Sequence, residues 1–496
     1  MKTKIKPENI DRVKDFLCLG FGGFFYTFIG WNWNMPLAAW IAPIFLIRFF
    51  RTRDKWLKTI PAVLLMVLAS WFKFRGTMEG MLVASIEALI APLLAMPVLI
   101  PLYLDRALFK KVPNILSFLI YPSAVTAMDF AFGNLPSLGS SGALAVTQFP
   151  ILPVLQISSI TGIWGVSFII SLAAVAVNAW FDNPSPERRK TAAVCLSVIA
   201  LIAVAGSLRL AIFPANDSNY NDAGTVKIAG IAEEEDGFFF DILGNGTPES
   251  GAAYFKPLFK KMEDNLMRKS RTAADGGAKI IFWAEGNLFL YQDQLETFLD
   301  KASVFAKENQ IYFAPSIQVL AYGSTINDNR NVMITPEGEI VYQYNKHISM
   351  YETPSDGEIK YIDTPYGRIG SAICFDMDDP AYIKQAGRKK IDILIVPAFD
   401  NQGMDPYHTH TGLLRSIENG MSVFRMVNEG TSIAVDYQGN IRAYQDYFNS
   451  TDNILYADLP TKGVSTLYSV LGDWFAYLSI LVLLLVILYR AIKPIS

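Results

Sequence analysis

Gly367-Arg368-Ile369-Gly370-Ser371-Ala372-Ile373-Cys374-Phe375-Asp376 is a short β-prone run that ends on a thiol and an acid. A strand over 368–373 would deliver Cys374 to its exposed end. Working outward, two more strand ends carry chemistry. Asn331-Val332-Met333-Ile334 and Glu339-Ile340-Val341-Tyr342-Gln343-Tyr344 flank the turn Pro336-Glu337-Gly338, a good hairpin, and Lys346 follows directly. Upstream, the apolar run Ala278–Trp283 reads as a buried strand that stops at Ala284-Glu285-Gly286. Further strands are expected over 225–231, 311–315 and 391–397. Helices are expected near 251–275, 291–309 and 408–424, and a second hairpin turns at Tyr437-Gln438-Gly439-Asn440. Alternating strands and helices make residues 214–466 an α/β block.

Acid, cation and thiol at strand ends are a set able to run acyl transfer. A thiolate is the nucleophile, so the thiol must lose its proton, and a carboxylate can accept it. A lysine cation can stabilise an oxyanion and favour the thiolate. Taken singly, each residue has a bland alternative: a packed cysteine, a surface acid, a solvated strand-end lysine. His408 and His410 lie two apart, which is not the one-face helical spacing of a zinc-protease site, so they read as loop or helix-start residues. Neither a metal nor a cofactor is expected.

The rest of the chain is of another kind. Over 496 residues, 51% are hydrophobic and 18% charged, and the mean hydropathy is +0.26. A soluble domain carries about 25% charged residues, and here the deficit is concentrated on both sides of the polar block. Apolar stretches near 16–33, 35–50, 59–74, 81–104, 113–132, 161–181, 191–213 and 469–490 are candidate spans, the second and third being short. Residues 1–213 thus read as a membrane domain of about seven spans, and 467–496 as a closing span. Lysine and arginine clusters at Lys2–Lys14, Arg51–Lys58, Arg106–Lys111, Arg188–Lys190 and Arg490–Lys493 fall on one side, with Lys73 and Arg75 opposed. The positive-inside bias then puts the α/β block outside the cytoplasm. The start of the chain does not read as a cleaved signal peptide. Glu87 and Asp129 fall inside spans, where an acid is costly; for Asp129 a helix-end position or a paired neighbour is the preferred reading, and Glu87 is left open. A net charge of −3 argues against a general nucleic-acid binder, and three cysteines are too few for a disulfide framework.

The three segments ending on Glu285, Lys346 and Cys374 resemble, in order and separation, the catalytic motifs of the nitrilase (carbon–nitrogen hydrolase) superfamily. The resemblance implies an α-β-β-α sandwich with Glu285 as general base, Lys346 as oxyanion stabiliser and Cys374 as nucleophile. It also implies a second glutamate after the lysine, for which Glu352 is the choice and Glu358 the alternative.

The whole plan, with spans before and after the enzyme block, is similar to the apolipoprotein N-acyltransferase family of bacterial inner membranes. Leu155–Phe168 and Arg415–Ser432 resemble that family's loop-to-span junction and post-cysteine region. That likeness implies a phospholipid acyl donor, a cysteine thioester and the N-terminal amine of a diacylated lipoprotein as acceptor. It further implies binding roles for Phe375 and Asp376. Phe238 and Phe239, with Phe240, are candidates for an apolar loop that admits acyl chains. The alternative activity is a membrane-tethered amidase or hydrolase of another acyl substrate. Departures from the family pattern are Ala284 for a proline, Phe375-Asp376 for Tyr-Glu, Ile348–Glu352 for Val-Pro-Phe-Gly-Glu, and Pro397–Gly403, which lacks the Asn-Asp-x-Trp-Phe loop.

Overall fold

The computed structural model describes residues 7–77, 84–135, 139–181, 185–215, 224–233, 252–322, 327–348, 353 and 355–492. The chain divides into two compact units, one made of 1–210 with 471–496 and the other of 211–470.

The first unit is helical. Its long helices are Pro7–Tyr26, Pro36–Thr52, Ile60–Phe74, Ala84–Leu108, Asn114–Gly133, Ile163–Phe181, Pro186–Ile212 and Trp474–Ile492. Among the described residues six helical stretches are long and apolar enough to cross a membrane; Pro7–Tyr26 and Pro36–Thr52 are not in that set. The first helix ends at Tyr26, earlier than the expected 33. Gly30 at φ +81°, followed by a 3₁₀ turn over Trp31–Trp33, breaks the chain there. Several polar side chains inside this unit find their partners within the protein. Asp129 accepts from Ser167 Oγ at 2.7 Å and the Leu144 N–H at 2.9 Å. Glu87, in the first turn of its helix, accepts from the Gly76 N–H at 3.0 Å. Arg51 grips Asp105 with two hydrogen bonds of 2.7 and 2.8 Å. Trp164 Nε1 donates to Asp473 at 2.9 Å and so ties the closing helix to the rest of the bundle. In a medium without water each of these groups needs such a partner.

The second unit has fourteen strands among its described residues: β1 (Thr225–Ile231), β2 (Ile280–Trp283), β3 (Phe289–Tyr291), β4 (Tyr312–Ala314), β5 (Ser316–Leu320), β6 (Asn327–Ile334), β7 (Ile340–Asn345), β8 (Tyr361–Thr364), β9 (Gly367–Ser371), β10 (Ile393–Phe399), β11 (Ser422–Asn428), β12 (Thr431–Val435), β13 (Ile441–Asp446) and β14 (Ile454–Pro460). They form two sheets, one ordered β14-β1-β2-β4-β6-β5-β3 with β7 also on β6, the other β13-β12-β11-β10-β9-β8. The sheets face each other across Val226, Ile228, Ile280, Phe282, Met333, Ile393, Ile395, Phe424 and Met426, all buried. Phe282 of one meets Phe424 of the other edge-to-face at 5.0 Å. The approach is close enough that a Cβ on Gly230 would lie 2.9 Å from the Met426 side chain, so a larger residue in β1 would push the sheets apart.

The outer layer on the first sheet is made by helices Ala252–Asp275 and Leu295–Asn309. Phe259, Met262, Leu266 and Ala273 recur at three-, four- and seven-residue steps, which puts one apolar stripe against Ile281, Trp283, Phe289 and Phe313. Helices Pro380–Arg388 and His410–Asn419 cover the second sheet. The result is the α-β-β-α sandwich of a nitrilase-like fold. The expected helix over 408–424 is shorter, because Gly420 takes φ +70° and ends it before β11.

Candidate active site

Glu285 follows β2, Lys346 follows β7 and Cys374 lies three residues beyond β9, so the pairing of strands within each sheet sets where the three side chains stand. Cys374 adopts φ +49°, a left-handed conformation rare for a residue with a side chain, and begins a 3₁₀ turn over 374–378. Such strain, at a cost of about 1–3 kcal/mol, persists where surrounding structure over-determines it. Here the turn is held by Asp376.

The structure brings Glu285, Lys346 and Cys374 to one buried place. Glu285 Oε1 accepts from Lys346 Nζ at 2.7 Å and from Asn329 Nδ2 at 2.6 Å. Its other oxygen, Oε2, accepts from the Phe399 N–H at 3.1 Å. The carbonyl of the same Phe399 accepts from Cys374 Sγ at 3.4 Å, so one residue at the end of β10 aligns carboxylate and thiol. Side-chain exposure is 2% at Glu285 and 11% at Lys346, and Cys374 is 1% exposed. Burial pushes the Cys374 thiol well above its ordinary value. The Glu285 charge adds to the rise, and the Lys346 cation opposes it. Burial thus favours the protonated thiol, and a base is required to make the thiolate.

Asp376, expected to bind a ligand, faces inward. Oδ1 accepts the His347 and Ile348 N–H groups at 3.0 and 2.8 Å, and Oδ2 accepts the Ile373 N–H at 2.9 Å and the Tyr344 hydroxyl. It ties the lysine loop to the cysteine turn. Burial raises its carboxyl to about 6 in spite of these donors. Phe375 is half-buried with its ring 4.7 Å from that of His408. Glu358 is exposed and paired with Lys389 at 2.9 Å. Glu352, Phe238 and Phe239 lie outside the described residues.

A second charged cluster was not legible in the sequence. Arg425, fully buried, grips Asp400 with two hydrogen bonds of 2.8 Å. The His408 ring lies between Asp400 Oδ1, 2.7 Å from Nδ1, and Asp378 at Nε2. Two acids and two cations cancel. Burial alone would lower His408, but Asp378 and Asp400 lift it to about 9. Burial alone would raise Asp400, but Arg425 and His408 hold it well below the carboxylate range. The position of His408 in a turn matches expectation, but its role in bridging the cysteine turn to the end of β10 leaves no spacing signature. The Cys374, Asp400 and His408 donor atoms lie within 4.8 Å of one another. A cation there would have to displace the His408 and Arg425 bonds, so the set is built as an ion network and fits a metal poorly.

Residues 246–468 match the family described as carbon-nitrogen hydrolase, and residues 22–176 the apolipoprotein N-acyltransferase N-terminal domain. An apolipoprotein N-acyltransferase of Geobacter metallireducens is 24% identical over 366 residues, 68% of this chain and 67% of the relative. One of Rickettsia prowazekii is 21% identical over 369 residues, 67% and 68% of the two chains. A crystal structure of an amidase from Nesterenkonia, 14% identical, covers 48% of this chain and 92% of its own with a TM-score of 0.37. With a carbon–nitrogen hydrolase region behind an acyltransferase-type N-terminal region, the chain belongs, as a divergent member, to the apolipoprotein N-acyltransferase family of the carbon–nitrogen hydrolase superfamily.

Proposed function

We propose that the protein is a membrane-bound N-acyltransferase that moves a fatty acyl chain from a phospholipid, through a thioester on Cys374, to the N-terminal amine of a diacylglyceryl lipoprotein. The observation that carries the chemistry is the Phe399 peptide, which holds Glu285 and Cys374 on its two sides while Lys346 sits on the carboxylate. Glu285 takes the thiol proton as Sγ attacks the ester carbonyl. Lys346 Nζ stabilises the oxyanion that forms. Collapse breaks the ester C–O bond, and Glu285 returns the proton to the departing lysophospholipid oxygen. In the second half the neutral amine attacks the thioester, its proton passes to Glu285, and the C–S bond breaks to regenerate the thiol. A buried, neutral resting thiol suits this order, because the thiolate is made only when an acyl group is in place to receive it.

Both substrates are lipid-anchored, which gives a reason for one chain to carry enzyme and spans together. The lysine and arginine clusters favour an enzyme unit outside the cytoplasm of the bacterial inner membrane. Glu352 is retained as the second glutamate, and the aromatic run Phe238–Phe240 as the acyl-chain entry.

The test is intact mass spectrometry of full-length protein with phospholipid and no acceptor. A fatty-acyl increment on wild type, absent from Cys374→Ala and released by hydroxylamine, is the expected result. A folded wild type that never gains the increment would sink the lipid-to-amine reading, leaving a hydrolase of other acyl groups.

A further inference from the structure

Beside Glu285 lies a row of buried carboxamides with bonds left unmade. Gln318 on β5 is 0% exposed, and among the described residues neither its Oε1 nor its Nε2 has a partner. Asn287 Oδ1, Asn327 Nδ2 and both polar atoms of Asn428 are in the same position. All four residues are at most 2% exposed. Buried amides are nearly always hydrogen-bonded, and an unmade bond there is costly, so a cluster of them marks a place where something else binds.

Their placement is set by strand register. Gln318 stands directly opposite Asn329, whose amide holds Glu285 Oε1, and Asn327 lies two residues along β6 from Asn329. Neighbours Ile317 and Val319 point into the helix-side core, so Gln318 points to the other face. That face is the one between the sheets, where Asn331, on the same side of β6 as Asn329, accepts from Ser371 of β9 at 2.8 Å. The Gln318 N–H donates to the carbonyl of Leu288, next to Asn287. From the opposite sheet, Asn428 pairs in register with Phe399, and its alternate neighbours Phe424 and Met426 face the inter-sheet core.

Uncharged carboxamides each offer a donor and an acceptor, which is the complement of another amide. A phosphate would call for a cation, and the nearby Lys346 is committed to Glu285. An acyl chain would call for an apolar wall. Taking the acyltransferase reading as its basis, we propose that Gln318, with Asn287, Asn327 and Asn428, forms a subsite for the first peptide bond of the acceptor. That bond joins the acylated N-terminal residue to the next. Gln318 stands across the ladder from Asn329, about 5 Å away, and Asn329 holds Glu285, so an amine seated at Glu285 would bring its own peptide group toward the Gln318 amide.

The experiment uses full-length protein in detergent, loaded as the acyl-enzyme. It compares transfer to a diacylglyceryl-cysteinyl dipeptide with transfer to the same molecule carrying an ester in place of that peptide N–H. Because a rate ratio is read on loaded protein, poor loading of a variant does not hide the answer. Wild type is expected to favour the peptide about tenfold or more in kcat/KM, and Gln318→Leu to slow the peptide and bring the ratio near one. A wild-type ratio near one would overturn the subsite, the carboxamides then holding water alone. Retained discrimination in Gln318→Leu would overturn it equally. If loaded wild type acylates neither acceptor, the transferase reading itself falls and takes the subsite with it.

Discussion

The His408 cluster makes stability depend on pH in a way that can be worked out. Facing the imidazole are Asp378 and Asp400, the Arg425 guanidinium, the Cys374 thiol and the Phe375 ring. The folded imidazole titrates at about 9 against an ordinary 6.5. The stabilisation is therefore complete below pH 6.5 and is lost as pH rises through 9. The full difference is about 3 kcal/mol at 1.36 kcal/mol per unit. Between pH 6 and 8.5 about 2 kcal/mol of it disappears, which by itself would lower the melting temperature of a unit of this size by roughly 4–8 °C. His410 works the other way: burial lowers its folded imidazole to about 3, so only the unfolded state takes up its proton, and about 1 kcal/mol returns between pH 6 and 8.5. The net loss is then about 1–2 kcal/mol, or roughly 3–6 °C, and the remaining groups change little in this window. Asp400 is held low and gives up its contribution only in acid, and Asp376, raised to about 6, completes its change near the lower limit. Cys374 penalises the folded state only once the unfolded thiol ionises, near pH 9. The assay is scanning calorimetry of the full chain in detergent at pH 6 and 8.5, on wild type and His408→Gln. Wild type should lose the net amount, while the variant should melt lower at pH 6 and rise slightly toward pH 8.5 as the His410 penalty is relieved. An equal fall in both proteins would refute the assignment of the charge to His408.

Other consequences follow from the same contacts. Glu285→Gln removes the proposed base, so the proposed thioester formation should slow by about 10²–10⁴-fold, read as the initial rate of acyl increment. The same change removes a charge that raises the thiol, so at pH 8 the variant's Cys374 should alkylate faster than that of wild type; an unchanged or slower rate would refute the electrostatic account. Lys346→Met takes away the proposed oxyanion cation and, among the described residues, leaves Glu285 the Asn329 and Phe399 donors, and a loss of about 10²–10³-fold in turnover is expected. Trp283→Phe deletes the 2.9 Å bond from Nε1 to Ser270 Oγ and the packing of the indole's second ring, while the hydroxyl keeps its own 2.8 Å bond to the Leu266 carbonyl. It should cost about 1–3 kcal/mol in denaturant unfolding with little change in chemistry.

What the sequence disclosed and what it hid have separate physical causes. Regular alternation and clear turns exposed β1, the β6–β7 hairpin around Gly338, and the strand before Cys374, because one face of each must be apolar and each turn needs its glycine or proline. β3 and β8 went unseen because three or four residues are too few to show a period. β5 went unseen because Pro315, the single residue between it and β4, reads as the end of a strand over 311–315. The same logic separates the parts of the site. Glu285, Lys346 and Cys374 were legible because each closes a strand whose own pattern points to it. Asp378, Asp400, His408 and Arg425 come from the cysteine turn, a strand end, a second turn and a strand interior, and only the packing of β9, β10 and β11 side by side makes them one neutral cluster. Gln318 is hidden for a related reason. A glutamine in a strand looks like a solvated face, and only the second sheet, by burying that face, turns it into an amide in want of a partner.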